Sequence, residues 1–151
     1  MGFKVDKVNW RANALDIKTV REKVFVYEYR VPAHSEFDKN DDNCDHVLIR
    51  DEDGRPIATG RLCSDGKISR VAVVKKHRKT EVSQKVIKKL IAIAKTKGMT
   101  CVSIDSELAD VSRYRASGFT EVGSVYMEAG IAKQTLTCPV ESFSCYNNIL
   151  H

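Results

Sequence analysis

Phe3, Val5, Val8 and Trp10 alternate with polar residues in the period of a half-buried strand. From Leu15 the period lengthens. Leu15, Ile17, Val20, Val24 and Tyr27 recur at helical spacing, and Pro32, which cannot continue a helix, ends that element. The acidic, turn-rich stretch from Ala33 to Asp45 reads as a loop. Three short strands follow, His46 to Arg50, Pro56 to Cys63 and Ile68 to Val74, separated by the turn signals Asp53-Gly54 and Asp65-Gly66. A long helix is predicted from Glu81 to Lys97. Val82, Val86, Leu90, Ile93 and Ala94 form its apolar face, Lys85, Lys88, Lys89 and Lys95 point outward, and Gly98 is a suitable stop. Beyond it the pattern predicts a strand over Cys101 to Asp105 and a helix of about three turns over Glu107 to Ser117, ended by Gly118. Two further strands, Phe119 to Met127 and Ile131 to Val140, flank a turn at Ala129-Gly130. Residues 141–151 show no period and read as a tail, leaving a single domain over residues 1–140.

Within this pattern the segment from Ile68 to Gly98 combines a buried strand, a short basic loop and a helix that opens out of the loop. A helix start carries unpaired backbone N–H groups and a partial positive charge, which suits a phosphate-bearing ligand. Glycines that would let the backbone wrap closely around phosphate are absent from this loop.

Composition narrows the class. With 151 residues, 42% apolar and 30% charged, the chain has the balance of one globular domain rather than of a disordered segment. No apolar run approaches the roughly 20 residues that span a bilayer. The opening Met-Gly-Phe-Lys-Val-Asp lacks the apolar core of a signal peptide, so a cytoplasmic protein without a membrane partner is expected. Five cysteines, Cys44, Cys63, Cys101, Cys138 and Cys145, form no Cys-x-x-Cys pair, and His34, His77 and His151 show no ligand spacing. Neither a zinc site nor a redox dithiol is indicated, and no metal is expected. Cys63 and Cys101 lie in apolar runs and read as small buried core residues.

The net charge of +5 is unevenly spread. Residues 75–97 carry nine Lys or Arg against one Glu, while residues 34–53 carry eight acids against Lys39 and Arg50. Runs of charge are ordinarily solvated faces. The sharper reading is a basic side that attracts a polyanion and an acidic side that favours a cation. Aromatic residues do not interleave with the basic ones, which argues against a nucleic-acid partner.

Specific residues now carry a resemblance. They are Val24-Phe25-Val26, Glu28, Val31-Pro32, Glu36-Phe37-Asp38 with Asp41, His46, Gly60-Arg61-Leu62, Arg70-Val71-Ala72-Val73, Tyr114-x-x-x-Gly118-Phe119 and Glu128-Ala129-Gly130-Ile131. In order and spacing they resemble the GNAT superfamily of acetyl-CoA-dependent N-acetyltransferases, and within it the small single-domain bacterial branch, over roughly residues 3–138. The resemblance implies an α/β (α+β) fold with a mixed central sheet, flanked by helices and splayed after the strand ending near Val74. It implies acetyl-CoA as cosubstrate, with pantetheine along Val71, Ala72 and Val73 and pyrophosphate against Arg78, Lys79, Thr80, Glu81, Val82 and Ser83. It also implies direct attack by a primary amine, with Tyr114 as the acid or thiolate-stabilising group. Glu81 stands where the family loop has glycine. Thr80 reads as an N-cap, and an acid in the first helical turn is stabilised by the helix dipole. Ala132-Lys133 replaces the branch's Pro-His, and Asp105-Ser106-Glu107 departs from its Ala-Gln.

On the acceptor side the expected residues are Arg61, Arg70, Glu28 and Glu107 for binding and Glu128 as a second catalytic group. Each also has a plainer reading as a salt-bridged or solvated side chain. The expected activity is N-acetyl transfer to a small-molecule or peptide amine by a monomer or homodimer. The alternative is a non-catalytic module of the same fold that acts through a protein or an anionic ligand.

Overall fold

The computed structural model describes residues 2–28, 39–78 and 80–145. Seven strands make one sheet: β1 (Lys4–Val8), β2 (Asp45–Arg50), β3 (Pro56–Leu62), β4 (Lys67–Val73), β5 (Cys101–Glu107), β6 (Thr120–Glu128) and β7 (Ile131–Pro139), in the spatial order β1-β2-β3-β4-β5-β7-β6. Every pairing is antiparallel except β4 with β5, which is parallel. The fold is therefore mixed α/β, as expected.

Helix α1 (Trp10–Arg21) covers one face over β2, β3 and β4, and α2 (Thr80–Thr96) covers the other. The larger core lies under α2. Val82, Val86 and Leu90 meet Val47, Ile49, Ile68, Val102, Ile104 and Leu136, all nearly or fully buried. The apolar period of the α2 sequence thus selects the face that docks. Gly60 on β3 lets α2 approach closely, because a Cβ there would stand 2.6 Å from Val86 Cγ1. A smaller cluster of Val20, Val24 and Ala72 forms under α1.

Several elements differ from their sequence expectation. Trp10 starts α1 instead of ending β1, because the side chain of Asn9 accepts from the N–H of Arg11 (2.8 Å) and caps the helix there. The helical path continues past Arg21 as a π-helical segment, Glu22–Glu28. Residues 29–38, with Pro32 and most of the expected loop, lie outside the described residues, and Lys39–Asn43 is a 3₁₀ turn. β5 runs on to Glu107 because β7 pairs with it as far as Glu107↔Lys133. The expected three-turn helix shrinks accordingly to a 3₁₀ turn, Leu108–Asp110, and a six-residue helix α3 (Val111–Ala116).

The expected tail at 141–151 stays packed through its first residues. The N–H of Ser144 donates to the Ser117 carbonyl (3.0 Å), and Phe143 packs edge-on against Phe119. The reading of Cys63 and Cys101 as buried core residues is also corrected. Positions 44 and 63 extend the Asp45↔Leu62 register by one pair, and Cys63 is joined to Cys44 in a disulfide. Cys101 points to the face opposite buried Val102 and is exposed.

Candidate active site

The site originates in an irregularity of β4. Ser69 opposes Arg61 and Ala72 opposes Thr59, so Arg70 and Val71 together face the single residue Gly60. This is a β-bulge, and Arg70 takes up the extra residue in a left-handed conformation, φ 53°. The bulge shifts the alternation. Ile68, Val71 and Val73 all turn to the α2 core, whereas Ala72 turns to α1.

The same bend parts β4 from β5. Their pairing ends at Ile68↔Ile104, although β4 stays on β3 to Ala58↔Val73 and β5 stays on β7 to Glu107↔Lys133. The N–H of Val74 donates to the Ile57 carbonyl on β3 (2.9 Å), so by alternation the N–H and carbonyl of Val73 face the gap. The guanidinium of Arg78 meets that carbonyl, with Nη2 donating at 2.8 Å and Nε at 3.2 Å.

After β4 the chain makes a 3₁₀ turn, Lys75–His77, and enters α2 with Thr80 as its first helical residue rather than its cap. Lys79 lies outside the described residues. In the first turn Glu81 is exposed, Val82 is buried in the core, and Ser83 is half-buried. Ser83, Gln84 and Ile87 of α2 form one wall of a recess whose other wall is Arg113, Tyr114 and Phe143. The recess therefore joins the start of α2 to the helix that carries Tyr114.

Tyr114 is held from both ends. Its carbonyl accepts from the N–H groups of Ser117 and Phe119, both at 3.0 Å, while Gly118 N–H donates to Arg115 (3.1 Å). This is a Schellman closure, with Gly118 at φ 108°. Its ring packs edge-on against Phe119 with centroids 5.6 Å apart. Burial pushes the phenol up to about 12, the charge of Arg113 offsetting this only in part. The hydroxyl is consequently a neutral hydrogen-bond donor throughout the physiological range.

The expected acceptor-side residues are placed less uniformly. Arg61 is almost fully buried, its Nη1 on Asp41 Oδ1 (2.9 Å) and its Nε on Ser69 Oγ (2.9 Å). Arg21 donates to the same carboxylate oxygen at 2.7 Å. His46 adjoins this cluster, with Nε2 2.8 Å from the Asp41 carbonyl and its ring 5.2 Å from Trp10, and burial lowers its pKa. Arg70 marks the bulge itself, at the mouth of the gap. Glu28 ends the π-helical segment.

Glu107, at the end of β5, and Glu128, at the β6–β7 hairpin, are both exposed, and Glu128 receives Lys133 Nζ at 2.7 Å. Ala129 and Gly130 both have positive φ, which closes that hairpin in two residues. Part of the acidic segment is paired in place. Beside the Arg21–Asp41–Arg61 cluster, Asp45 pairs with Lys97 (2.6 Å) and Lys7 (3.7 Å).

A polar cluster absent from the sequence expectations lies on the sheet face opposite α2. Val102 and Ile104 point into the core, so Asp105 points away from it. Thr135 Oγ1 donates to Asp105 Oδ1 at 2.6 Å, Lys67 Nζ pairs with Asp105 Oδ2, and Tyr126 of β6 is an electrostatic neighbour of the carboxylate. Burial would raise the Asp105 pKa, but the Lys67 and Thr135 hydrogen bonds outweigh it and hold the carboxyl below its usual range. Its only signal in the sequence is one acid closing an otherwise apolar strand run. Among the described residues no group of His, Cys, Asp and Glu side chains could hold a metal ion, and no helix is long and apolar enough to cross a membrane.

Known proteins resemble this chain in sequence and in fold. A family model described as an acetyltransferase (GNAT) domain matches residues 13–138. The uncharacterised N-acetyltransferase YjcF of Bacillus subtilis is 30% identical over 116 residues, a span of 74% of this chain and 82% of that protein. The crystal structure of a candidate N-acetyltransferase from Lactobacillus plantarum superposes with a TM-score of 0.84 at 25% identity, over 93% of this chain and 99% of the other. The CoA-dependent acyl-homoserine lactone synthase BjaI, solved with SAM and isopentyl-CoA, shares the fold at 16% identity and a TM-score of 0.76, over 92% and 84% of the two chains.

Proposed function

The chain belongs to the GNAT acetyltransferase family, and from that premise we propose that it transfers the acetyl group of acetyl-CoA to a primary amine by direct attack in a ternary complex. The observation that carries this reading is the parting of β4 and β5 beyond Ile68↔Ile104, in line with the start of α2. An extended pantetheine arm needs backbone partners. Val73 has its N–H and carbonyl on the open edge, and Val71, beside the bulge, would supply a second partner. Arg78, which meets the Val73 carbonyl in this structure, is a charged group at the same edge and can turn to a phosphate.

The first N–H groups of α2, from Thr80 to Ser83, have no intrahelical acceptor and with Arg78 would form an anion-binding end. Exposed Glu81 can turn its carboxylate to solvent. The lysines on the outer face of α2 add a positive field that draws in the nucleotide end. The fit with a CoA thioester thus rests on backbone edge, helix start and recess together. The fold's occurrence in a synthase solved with isopentyl-CoA is consistent with it.

The thioester supplies an activated acyl carbon. An unprotonated amine attacks it, the new C–N bond forms and the C–S bond breaks. A backbone N–H of Val71 or Val73 stabilises charge on the carbonyl oxygen. The proton lost by nitrogen leaves through solvent or an acceptor-side carboxylate, for which Glu128 and Glu107 are placed on the exposed face. Tyr114 donates a hydrogen bond to the departing thiolate, which finally takes up a proton. With its phenol near 12, complete proton transfer from Tyr114 to a thiolate of ordinary basicity would be uphill by about 5 kcal/mol, so stabilisation by a hydrogen bond is the role that fits. Arg70, at the bulge, would border the acceptor, with Arg61 buried on Asp41 in the neighbouring strand.

Isothermal titration with acetyl-CoA, coupled to thiol release over a panel of primary amines, tests the reading. Micromolar binding and amine-dependent release are expected. No heat at high acetyl-CoA concentration would overturn it.

A further inference from the structure

Lys67 is the last residue but one of β4 to pair with β5, immediately before the strands part. Its primary ammonium lies on Asp105 at the outer face of the gap, and the lysine side chain is 45% exposed while that of Asp105 is 22% exposed. Asp105 belongs to β5 one residue past the last β4–β5 pair, so it lies at the edge of the opening, on the face away from α2. Thr135 holds the carboxylate from β7. Asp105 is thus an oriented carboxylate that already carries one primary ammonium, drawn from the protein's own chain.

Resting on the acyl-transfer reading, we propose that Asp105 is the anchor for a cationic acceptor, that Lys67 occupies it in the acceptor's absence, and that the acceptor carries a second amine beyond the one anchored. The second amine follows from charge. The hydrogen bond from Lys67 to Asp105 raises the lysine pKa despite partial burial. Any ammonium in that place is likewise kept protonated and cannot be the nucleophile. The nitrogen that attacks must therefore be another one on the same molecule, displaced from the anchor toward the gap. A diamine meets this requirement and a simple alkylamine does not. Glu107, exposed on the same face, adds negative potential around the entrance, whereas Glu128 is paired with Lys133.

Two substitutions separate this arrangement from a merely structural ion pair, because they act in opposite directions. Lys67→Met removes the occupant and keeps the anchor, whereas Asp105→Asn removes the anchor's charge. Putrescine and n-butylamine are titrated calorimetrically into each protein without acetyl-CoA, and thermal melts establish that each variant is folded. Putrescine should bind about tenfold more tightly to Lys67→Met than to the parent and at least tenfold more weakly to Asp105→Asn. Asp105→Glu, which keeps the charge, should retain putrescine binding, and in thiol release putrescine should serve as acceptor where n-butylamine does not. Putrescine binding to Lys67→Met no tighter than to the parent, weaker putrescine binding in both Lys67→Met and Asp105→Asn, or thiol release with n-butylamine equal to that with putrescine would overturn the proposal. Thiol release is measured separately. Diamine binding that follows the expected order without any acetyl transfer would sink the enzymatic reading and leave the anchor standing.

Discussion

Tyr114 shows how one side chain is prepared by its surroundings. Burial against Phe119 keeps the phenol neutral, and the carbonyl of the same residue is fixed by two N–H groups. Tyr114→Phe removes only the hydroxyl. Loss of one oriented donor to a developing anion lowers kcat by about 10- to 100-fold, with the KM for acetyl-CoA little changed, as thiol-release kinetics will show. The pKa has a second consequence. The unfolded chain loses this proton near pH 10, the folded chain only near 12. The associated stability is complete below pH 10 and is lost as pH rises toward 12. Urea midpoints between pH 9 and 11.5 should fall more steeply for the parent than for Tyr114→Phe.

At the scale of elements, the strand–helix junctions position the chemistry. A single extra residue in β4 turns Val71 and Val73 to the same face as Ile68 and releases β5 from β4. Strict alternation read along the sequence would have placed Val71 and Val73 opposite Ile68, and no local signal at Arg70 announces a left-handed residue. The short helix α3 depends instead on its stop. Gly118 has φ 108°, and a Cβ there would lie 2.5 Å from the Ser142 carbonyl. Gly118→Ala must therefore both adopt a costly backbone conformation and displace the segment that carries Phe143. A loss of about 2–4 kcal/mol is expected in urea unfolding.

Across the whole molecule, charge is used both inside and outside. The Arg21–Asp41–Arg61 cluster ties α1, the 3₁₀ turn at Lys39–Asn43 and β3 into one unit, with all three residues 5% exposed or less. Asp41→Ala would leave two buried guanidinium groups short of the carboxylate they share, and a loss of about 3–5 kcal/mol is expected in denaturant titration. Within the acidic stretch Asp41, Asp42 and Asp45 are each paired with a basic side chain, and the carboxylate proposed as the anchor, Asp105, comes from another part of the chain.

The sequence by itself determined what depends on neighbours a few residues away. Apolar period distinguished the strands from α2, the turn pairs Asp53-Gly54 and Asp65-Gly66 separated β2, β3 and β4, and Gly98 and Gly118 marked the helix ends. Those features arise from local sterics and from which face a segment must bury, so one chain suffices to read them. Tertiary structure decided what depends on register. The pairing of β5 with β7 extended β5 to Glu107 and shortened the helix after it. The match of positions 44 and 63 joined two cysteines, and the turn at Ser117–Phe119 drew residues 142–144 against the body. Lys67, Asp105, Tyr126 and Thr135 are scattered over four strands and met only when those strands were aligned side by side. A one-residue bulge is enough to change which side chains share a face, and no period in the sequence records it.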